Sequence, residues 1–217
     1  MVNVNNYLGE QGVTGQMYNS IRSHMAYVLN WRSACNEEDI LQRMAPNLRA
    51  RVLKQVHDDA IKIIPIFKSQ PPGFVTAILQ HLRPQLYMQG EVVYEASSRS
   101  QGVYFVIRGI AEAYVKVPVV GQADETEEKV VAIVPTGRFF GYTRFMAAHL
   151  RDDLAIRAFT HLQVYLLSNS SICFILHFHP HLGKTLRLAL EEAVFEQASE
   201  ETEEEDKKAA ARKALYG

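Results

Sequence analysis

Apolar residues recur at helical spacing along the first third of the chain. Between residues 18 and 31 they stand three or four positions apart, at Ile21, Met25, Val28 and Leu29, as on one face of a helix. Asn36 followed by three acidic residues is a typical helix start, Pro46 begins another helix, and Pro65 ends the one after it. The pattern predicts a string of short helices, the last of them following Pro72.

The period changes at Pro84, where β-branched and aromatic residues gather in short runs. Gly90, residues 97–102 and Gly109 separate the runs, which is the pattern of strands joined by tight turns, and both glycines are expected to take a positive φ. Further strands are predicted at 129–135, 154–160 and 162–168. About eight short strands at this spacing predict an antiparallel roll of the jelly-roll type. The acidic segment 118–128 is predicted to be an exposed hairpin loop.

Helical spacing returns after the last strand. Ser168 or Asn169 caps a short helix, and Pro180 begins a long one. The apolar face predicted for the long helix consists of Leu182, Leu186, Leu190, Val194 and Phe195. The charged tail continues it as a solvated helix with i,i+4 pairs. The fold class is therefore α+β, with helical residues 1–64, a β-roll with flanking helices at 65–198 and a charged helical tail at 199–217.

Composition limits the function classes. The chain has 217 residues and a formal net charge of −1, so it lacks the basic excess of a general nucleic-acid binder. Cys35 and Cys173 lie far apart, and buried reduced thiols are expected rather than a disulfide framework. No apolar run of 18 residues and no signal pattern is present.

Candidate catalytic and metal-binding motifs are weak. His177, His179 and His181 alternate around Pro180, but zinc requires three or four converging ligands with supporting partners, so no metal site is predicted. The segment that begins at His57 is predicted to be an exposed charged turn. No Ser-His-Asp order, P-loop or pair of catalytic carboxylates stands out, and the sequence predicts a protein that is not an enzyme.

The order of helices, roll, short helix and long final helix resembles a known family. Residues 46–67 look like the end of a C-linker, 81–109 like the first strands of a cyclic nucleotide-binding roll, and 166–180 like its second helix and turn. The chain thus resembles the C-linker and cyclic nucleotide-binding domain of the cyclic-nucleotide-gated, hyperpolarisation-activated and ether-à-go-go-type channel superfamily. The resemblance covers about residues 10 to 198.

The resemblance places a phosphate cassette at residues 140–153. Ligand-binding members of the family carry Phe-Gly-Glu, a short helix and then an Arg, with the Glu bound to the ribose and the Arg paired to the cyclic phosphate. Here Phe140 and Gly141 match, but Tyr142 replaces the Glu. Thr143 and Arg144 follow in the predicted short helix, where Arg144 is expected to face solvent or to pair with the aspartates, as is Arg157 on the next strand.

The Arg position of the family falls on Asp152, with Asp153 beside it. An aspartate facing a phosphate is repulsive, and the lost Arg pair adds to the cost. A deficit of several kcal/mol, on the order of 100-fold in affinity, is predicted. Arg151 stands one residue earlier, and a shifted loop that uses it for the phosphate remains the alternative.

In the family the long helix folds over the base of the nucleotide. Counting from Pro180, the facing positions are Ala193, Val194 and Gln197. Val194 could pack on a base and Gln197 could bond its edge, but no cation caps the site. No cofactor is predicted, and cyclic AMP and cyclic GMP are expected to bind weakly or not at all.

The resemblance implies a regulatory module on the cytoplasmic side of a membrane, within a larger membrane protein. Its expected partners are other copies of the chain, in a tetramer formed through the N-terminal helices, and the membrane-embedded pore domain of the same full-length chain. Two alternatives remain: a genuine cyclic nucleotide or nucleoside sensor with an unusual cassette, and the regulatory domain of a transporter.

Overall fold

The computed structural model describes residues 43–68, 70–98, 100–118, 126–142 and 154–216, with scattered positions between residues 7 and 41; from residue 200 it describes the backbone alone. The chain divides into two compact units, Met1–Val52 and Leu53–Gly217. The domain bounds predicted at 64/65 and 198/199 stay predictions. Among these described residues, no helix is both long and apolar enough to cross a membrane.

Five helices are described along their whole length, with a 3₁₀ turn at Pro65–Phe67. They are α1 (Pro46–Val56), α2 (Asp58–Ile63), α3 (Pro72–Leu79), α4 (Asn169–Phe178) and α5 (Pro180–Tyr216). The predicted starts at Pro46 and Pro180 are confirmed, and Ser168 caps α4 by accepting a hydrogen bond from the Ser171 N–H at 3.1 Å. The predicted helices at 18–31 and 36–44 lie largely outside the described residues.

Eight strands are found among the described residues, all paired antiparallel, and the predicted roll is confirmed. They are β1 (Leu82–Tyr87), β2 (Val92–Tyr94), β3 (Gly102–Arg108), β4 (Ile110–Pro118), β5 (Thr126–Pro135), β6 (Phe139–Phe140), β7 (Ala155–Ala158) and β8 (Leu162–Ser168). The strand order is β1-β8-β3-β6 in one sheet and β2-β7-β4-β5 in the other. We call the first the covered sheet and the second the open sheet.

Two strand boundaries differ from the prediction. The first strand begins at Leu82 rather than Pro84, and Pro84 is tolerated because β1 lies at a sheet edge, where a missing N–H donor costs little. The predicted loop 118–128 is shorter, because Thr126 pairs with Pro118 and Glu128 with Lys116. Gly90 and Gly109 have φ values of 82° and 92°, as expected for their turns.

The core has two layers, one on each side of the covered sheet. Tyr104 and Val106 of β3 point between the two sheets, where they pack with inward residues of the open sheet such as Ile156. Val103 and Phe105 alternate to the other face and pack against the helices. The covered sheet therefore has apolar side chains on both faces, which explains why β3 is almost continuously hydrophobic.

Helix α5 packs on the covered sheet. Leu186 and Leu190 are fully buried, and Leu182 and Val194 pack against the same cluster. The prediction that the helix from Pro180 rests on the roll is confirmed. Phe195 was wrongly placed on this face, because its side chain is 74% exposed.

Two further expectations are wrong. His57 does not lie in an exposed turn: its side chain is 6% exposed, and its Nδ1 lies 2.7 Å from the Tyr165 hydroxyl of β8. The neighbouring Asp58 and Asp59 suggested a solvated segment, but the ring faces the roll while the carboxylates face water. The expected buried thiol at Cys173 is exposed.

Candidate functional site

The cassette begins on β6, at the edge of the covered sheet. The two residues of this strand point to opposite layers, because neighbouring side chains alternate across a sheet. Phe140 stacks on Tyr104 between the sheets, with ring centroids 5.0 Å apart and planes at 10°. Phe139 lies on the helix side, packed with the residues that bury α5. The start of the cassette is therefore fixed in both layers of the core.

Gly141 makes a turn that other residues cannot make without strain. Its φ is 78°, and a Cβ at this position would lie 2.5 Å from the carbonyl oxygen of Gly102. The buried Ser100 hydroxyl donates to the Gly141 carbonyl at 3.2 Å, and Asn169 of α4 in turn donates to the Ser100 carbonyl at 2.7 Å. Glycine is thus required both by the backbone conformation and by the close approach.

Tyr142, which stands in the place of the family's ribose-binding Glu, is half-buried. Its ring packs against the cluster under α5, with its centroid 5.4 Å from that of Phe139. The side chain therefore extends the apolar surface on which the long helix rests. A carboxylate at this position would have to lie against the same apolar surroundings, where burial disfavours the charged form.

The remaining cassette residues, Thr143, Arg144, Arg151, Asp152 and Asp153, lie outside the described residues. The charge pattern that motivates weak phosphate binding is therefore a prediction from the sequence. Of the predicted site, Tyr142, Ala193 and Val194 share the cluster under α5, whereas Phe140 lies in the other core layer.

The three helix positions contact the roll in different ways. Ala193 is buried, and Val194 packs against the same cluster as Phe139. Gln197 extends its amide to the main chain of Phe139: its Oε1 accepts from the Phe139 N–H, and its Nε2 donates to the Phe139 carbonyl, both at 3.3 Å. The amide that was expected to bond a base edge is instead paired with the edge of β6.

Arg138 adds a contact that the sequence analysis missed. Its Nη1 donates to the main-chain carbonyl of Gln197 at 3.0 Å. Arg138 directly precedes Phe139 and follows Gly137, whose φ is 89°. A glycine turn followed by Arg and two aromatic residues was the available signal, but the partner stands 59 residues later on a different element.

Arg157 forms ion pairs with acidic residues on the open sheet. Its guanidinium pairs with Glu112 on β4 and Glu128 on β5, and lies 4.6 Å from the centre of the Tyr114 ring. Arg157 lies on the outer face as expected, with its side chain 28% exposed, and its cross-strand neighbour is Glu112; the expected pairing with Asp152 or Asp153 falls outside the described residues. The hydrogen bond that Arg157 donates to Glu112, followed by the one to Glu128, raises the pKa of Arg157.

Tyr87 ends β1, at the opposite edge of the covered sheet from β6, and packs against the core between the sheets. Burial raises the pKa of Tyr87 well above its ordinary value, and the neighbouring Tyr104 adds to the shift. The Tyr87 hydroxyl donates to Gln85 at 2.7 Å. Among the described residues, no group of three or more His, Cys, Asp or Glu side chains is arranged to hold a metal ion.

Comparison with known proteins finds similarity to ion channels. No protein-family model matches the chain. The potassium channel SKOR of Arabidopsis thaliana is 22% identical over 186 residues, which is 86% of this chain and 21% of the channel. A cyclic nucleotide-gated cation channel protein from Drosophila melanogaster is 28% identical over 141 residues, 65% of this chain and 20% of its own length.

A third relative is the human potassium/sodium hyperpolarization-activated cyclic nucleotide-gated channel 1, which is 25% identical over 149 residues, covering 69% of this chain and 15% of the channel. The chain thus spans about a fifth of the length of these relatives or less. The similarity confirms the predicted resemblance to this channel superfamily, and the two-sheet roll with its final helices fits the predicted cyclic nucleotide-binding-type domain.

Proposed function

We propose that this chain is the cytosolic regulatory and assembly module of a cation channel, and that it binds cyclic nucleotides weakly or not at all. The observation that carries the proposal is the match of most of the chain to about a fifth of a channel, combined with a roll whose long helix rests on the covered sheet. On this proposal the module is not an enzyme, and it works by exchanging between conformations.

The proposal of weak nucleotide binding rests on two positions. Tyr142 carries no charge and is packed against Phe139, so it is a poor replacement for a carboxylate that bonds a ribose hydroxyl. Asp152 stands where the family has the phosphate-binding Arg, and like charges oppose each other in a half-buried site. The amide of Gln197 is also engaged with Phe139 rather than directed to a ligand.

Titration calorimetry with cyclic AMP, cyclic GMP and plain nucleosides tests the proposal. The parent chain is expected to bind at least about 100-fold more weakly than the double variant Tyr142→Glu with Asp152→Arg. Arg151→Ala is the matched control: it changes nothing under the proposal, but abolishes binding if Arg151 has taken over the phosphate. Micromolar binding of either cyclic nucleotide by the parent chain would overturn the proposal.

We also propose that the module assembles with copies of itself through the N-terminal helices, as a tetramer attached to the membrane-embedded pore domain of the same full-length chain. The helical region would be residues 1–64, the sensor-like roll 65–198 and the charged tail 199–217. Ile21 and Met25 support the assembly, since both are helical and partly exposed and both belong to the apolar stripe predicted from the sequence.

Light scattering on the full chain at high concentration tests the assembly. Dimers or tetramers are expected for the parent chain, and the double variant Ile21→Asp with Met25→Asp should shift them toward monomer. A parent chain that stays monomeric at about millimolar concentration, where even weak association is detectable, would contradict the assembly proposal.

A further inference from the structure

Strand β6 presents an outer edge beside the long helix. On its inner side it pairs with β3, and the Val106 N–H donates to the carbonyl of Arg138 at 2.9 Å. Successive residues of a strand direct their main-chain groups to opposite sides. The N–H and carbonyl of Phe139 therefore point away from β3, toward α5.

The side chain of Gln197 meets this edge as an additional strand would. A glutamine amide offers one acceptor oxygen and a donor nitrogen, the same pair of groups that a peptide unit offers. Both amide groups of Gln197 bind Phe139: the Phe139 N–H donates to the amide oxygen, and the Phe139 carbonyl accepts from the amide nitrogen. Arg138 then donates to the main-chain carbonyl of Gln197, so two consecutive residues of the roll hold one residue of the helix.

These contacts lie where the buried face of the helix ends. Leu186 and Leu190 are fully buried about two to three turns earlier, whereas Ala198 and Ser199 are exposed. The two amide bonds are 3.3 Å long, at the long end for N–H···O bonds, and the bond from Arg138 is 3.0 Å long. Loss of these bonds would free the turn of α5 at Gln197, in the middle of the helix, without removing the packing of Leu186 and Leu190.

We propose that Gln197 is a latch that couples the position of the long helix to the first residues of the cassette, an inference that rests on the proposed function in taking the cassette as the regulated part. Phe139 directly precedes Phe140 and Gly141, and its ring packs on Tyr142. A displacement of residues 140–142 moves the main chain that Gln197 holds, and release of the helix turn at Gln197 leaves the Phe139 N–H and carbonyl open to water.

Hydrogen exchange resolved at single amides by NMR tests the latch. In Gln197→Ala, exchange of the Phe139 N–H is expected to accelerate about tenfold, because its acceptor is lost. The Leu190 N–H should keep its parent rate, because the leucines still pack. Glu192→Ala, an exposed change on the same helix, is the matched control and should leave both rates unchanged.

Two results would overturn the latch. One is an unchanged Phe139 rate in Gln197→Ala; the other is an equal acceleration at Leu190, since Gln197 would then act only through the packing of the whole helix. If the alanine variant does not fold, Gln197→Asn provides the test: it keeps the amide but is one methylene shorter, so Phe139 should again exchange faster while Leu190 does not.

The coupling to the cassette is tested separately. In the Tyr142→Glu with Asp152→Arg background, adding Gln197→Ala is expected to change cyclic nucleotide affinity at least about fivefold, because nucleotide binding and release of the helix turn at Gln197 are linked. An unchanged affinity would contradict the coupling. A background that fails to bind would count against the proposed function alone, since the exchange experiment uses the chain without nucleotide and stands independently.

Discussion

The covered sheet and the open sheet each consist of four antiparallel strands, but their outer faces differ. On the covered sheet, the outer face carries Val103 and Phe105 and is buried under helices. On the open sheet, the outer face carries the charged group of Arg157, Glu112 and Glu128. One sheet is thus a layer inside the domain, whereas the other has an exposed outer face on which this charged group lies beside Val92 and Ile133.

This difference between the outer faces indicates which of the two sheets would be affected by a movement of α5. The cassette starts at β6, the edge of the covered sheet, directly beside the contacts of α5. The open sheet contributes Ile156 and Ala158 to the inner core, and it holds its outer charges among its own strands. We therefore expect substitutions on the covered side to affect the helix, and substitutions on the open side to affect only the sheet that carries them.

The largest expected effect is that of a charge placed under the long helix. Leu190→Asp should lower the free energy of unfolding by about 2–4 kcal/mol, because a carboxylate would be buried among apolar residues. Leu188→Asp is the matched control, since Leu188 is 58% exposed and the change should cost less than about 0.5 kcal/mol. Urea unfolding followed by circular dichroism measures both, and equal costs would show that α5 does not rest on the covered sheet.

A somewhat smaller effect is expected at the edge of the covered sheet. Gly141→Ala should destabilise the protein by about 2 kcal/mol or more, since its Cβ would approach the Gly102 carbonyl at 2.5 Å at a positive φ. Gly137→Ala shares the positive φ but has no atom within 4 Å of the added Cβ, so about 1 kcal/mol is expected there. Thermal unfolding compares the two; a smaller cost at Gly141 would contradict the close approach.

Substitutions on the open sheet should lower the stability of the protein less than those on the covered sheet. Arg157→Met keeps much of the apolar contact with Tyr114 but leaves Glu112, which is 5% exposed, without its guanidinium partner. A cost of about 1–2 kcal/mol is expected, because a poorly solvated carboxylate loses its charged hydrogen bond.

Lys116→Met on the same sheet is the control for this change. Its ion pair with Glu95 is largely exposed, so a cost within about 0.5 kcal/mol is expected. Urea unfolding measures both variants, and adding Glu112→Gln to Arg157→Met should recover part of the loss. If the double variant is no more stable than Arg157→Met, the buried charge is not the cause.

Elements with a local signal were predicted well. The glycine turns, the Ser168 cap and the proline starts each follow from residues adjacent in sequence, and the period change at Pro84 came within two residues of the first strand. Contacts between distant residues were not predicted. The pairing of Arg157 with Glu112 depends on strand register, which neither segment contains alone.

The candidate site shows the same limit. The family resemblance, counted along the helix from Pro180, placed Gln197 facing the nucleotide site, and in the structure Gln197 contacts Phe139 of the roll. Its partner was not predictable, because Phe139 is 58 residues away and uses main-chain groups that any residue type would offer. His57 was missed for a similar reason: its burial depends on Tyr165, 108 residues later.

The smallest effect concerns pH on the helix side of the covered sheet. His81, next to the start of β1, packs near Phe174 of α4, with ring centroids 5.8 Å apart. Burial lowers the pKa of His81 below its ordinary value of 6.5, and the charge of His179 lowers it further. The unfolded chain therefore takes up a proton at higher pH than the folded chain does. The stability that His81 contributes is present above about pH 6.5 and is lost as the pH falls through the lower pKa of the folded state.

His81→Gln removes this proton uptake, and the stability of the variant should fall less steeply than that of the parent between about pH 7 and pH 5. His179→Gln removes only the second cause, so it should flatten the parent curve partly and less than His81→Gln does. Urea unfolding at a series of pH values measures the three slopes. Parent and His81→Gln curves of equal slope would mean that His81 is solvated alike in the folded and unfolded chains, and that the helix side of the covered sheet is more open at α4 than the contact with Phe174 implies.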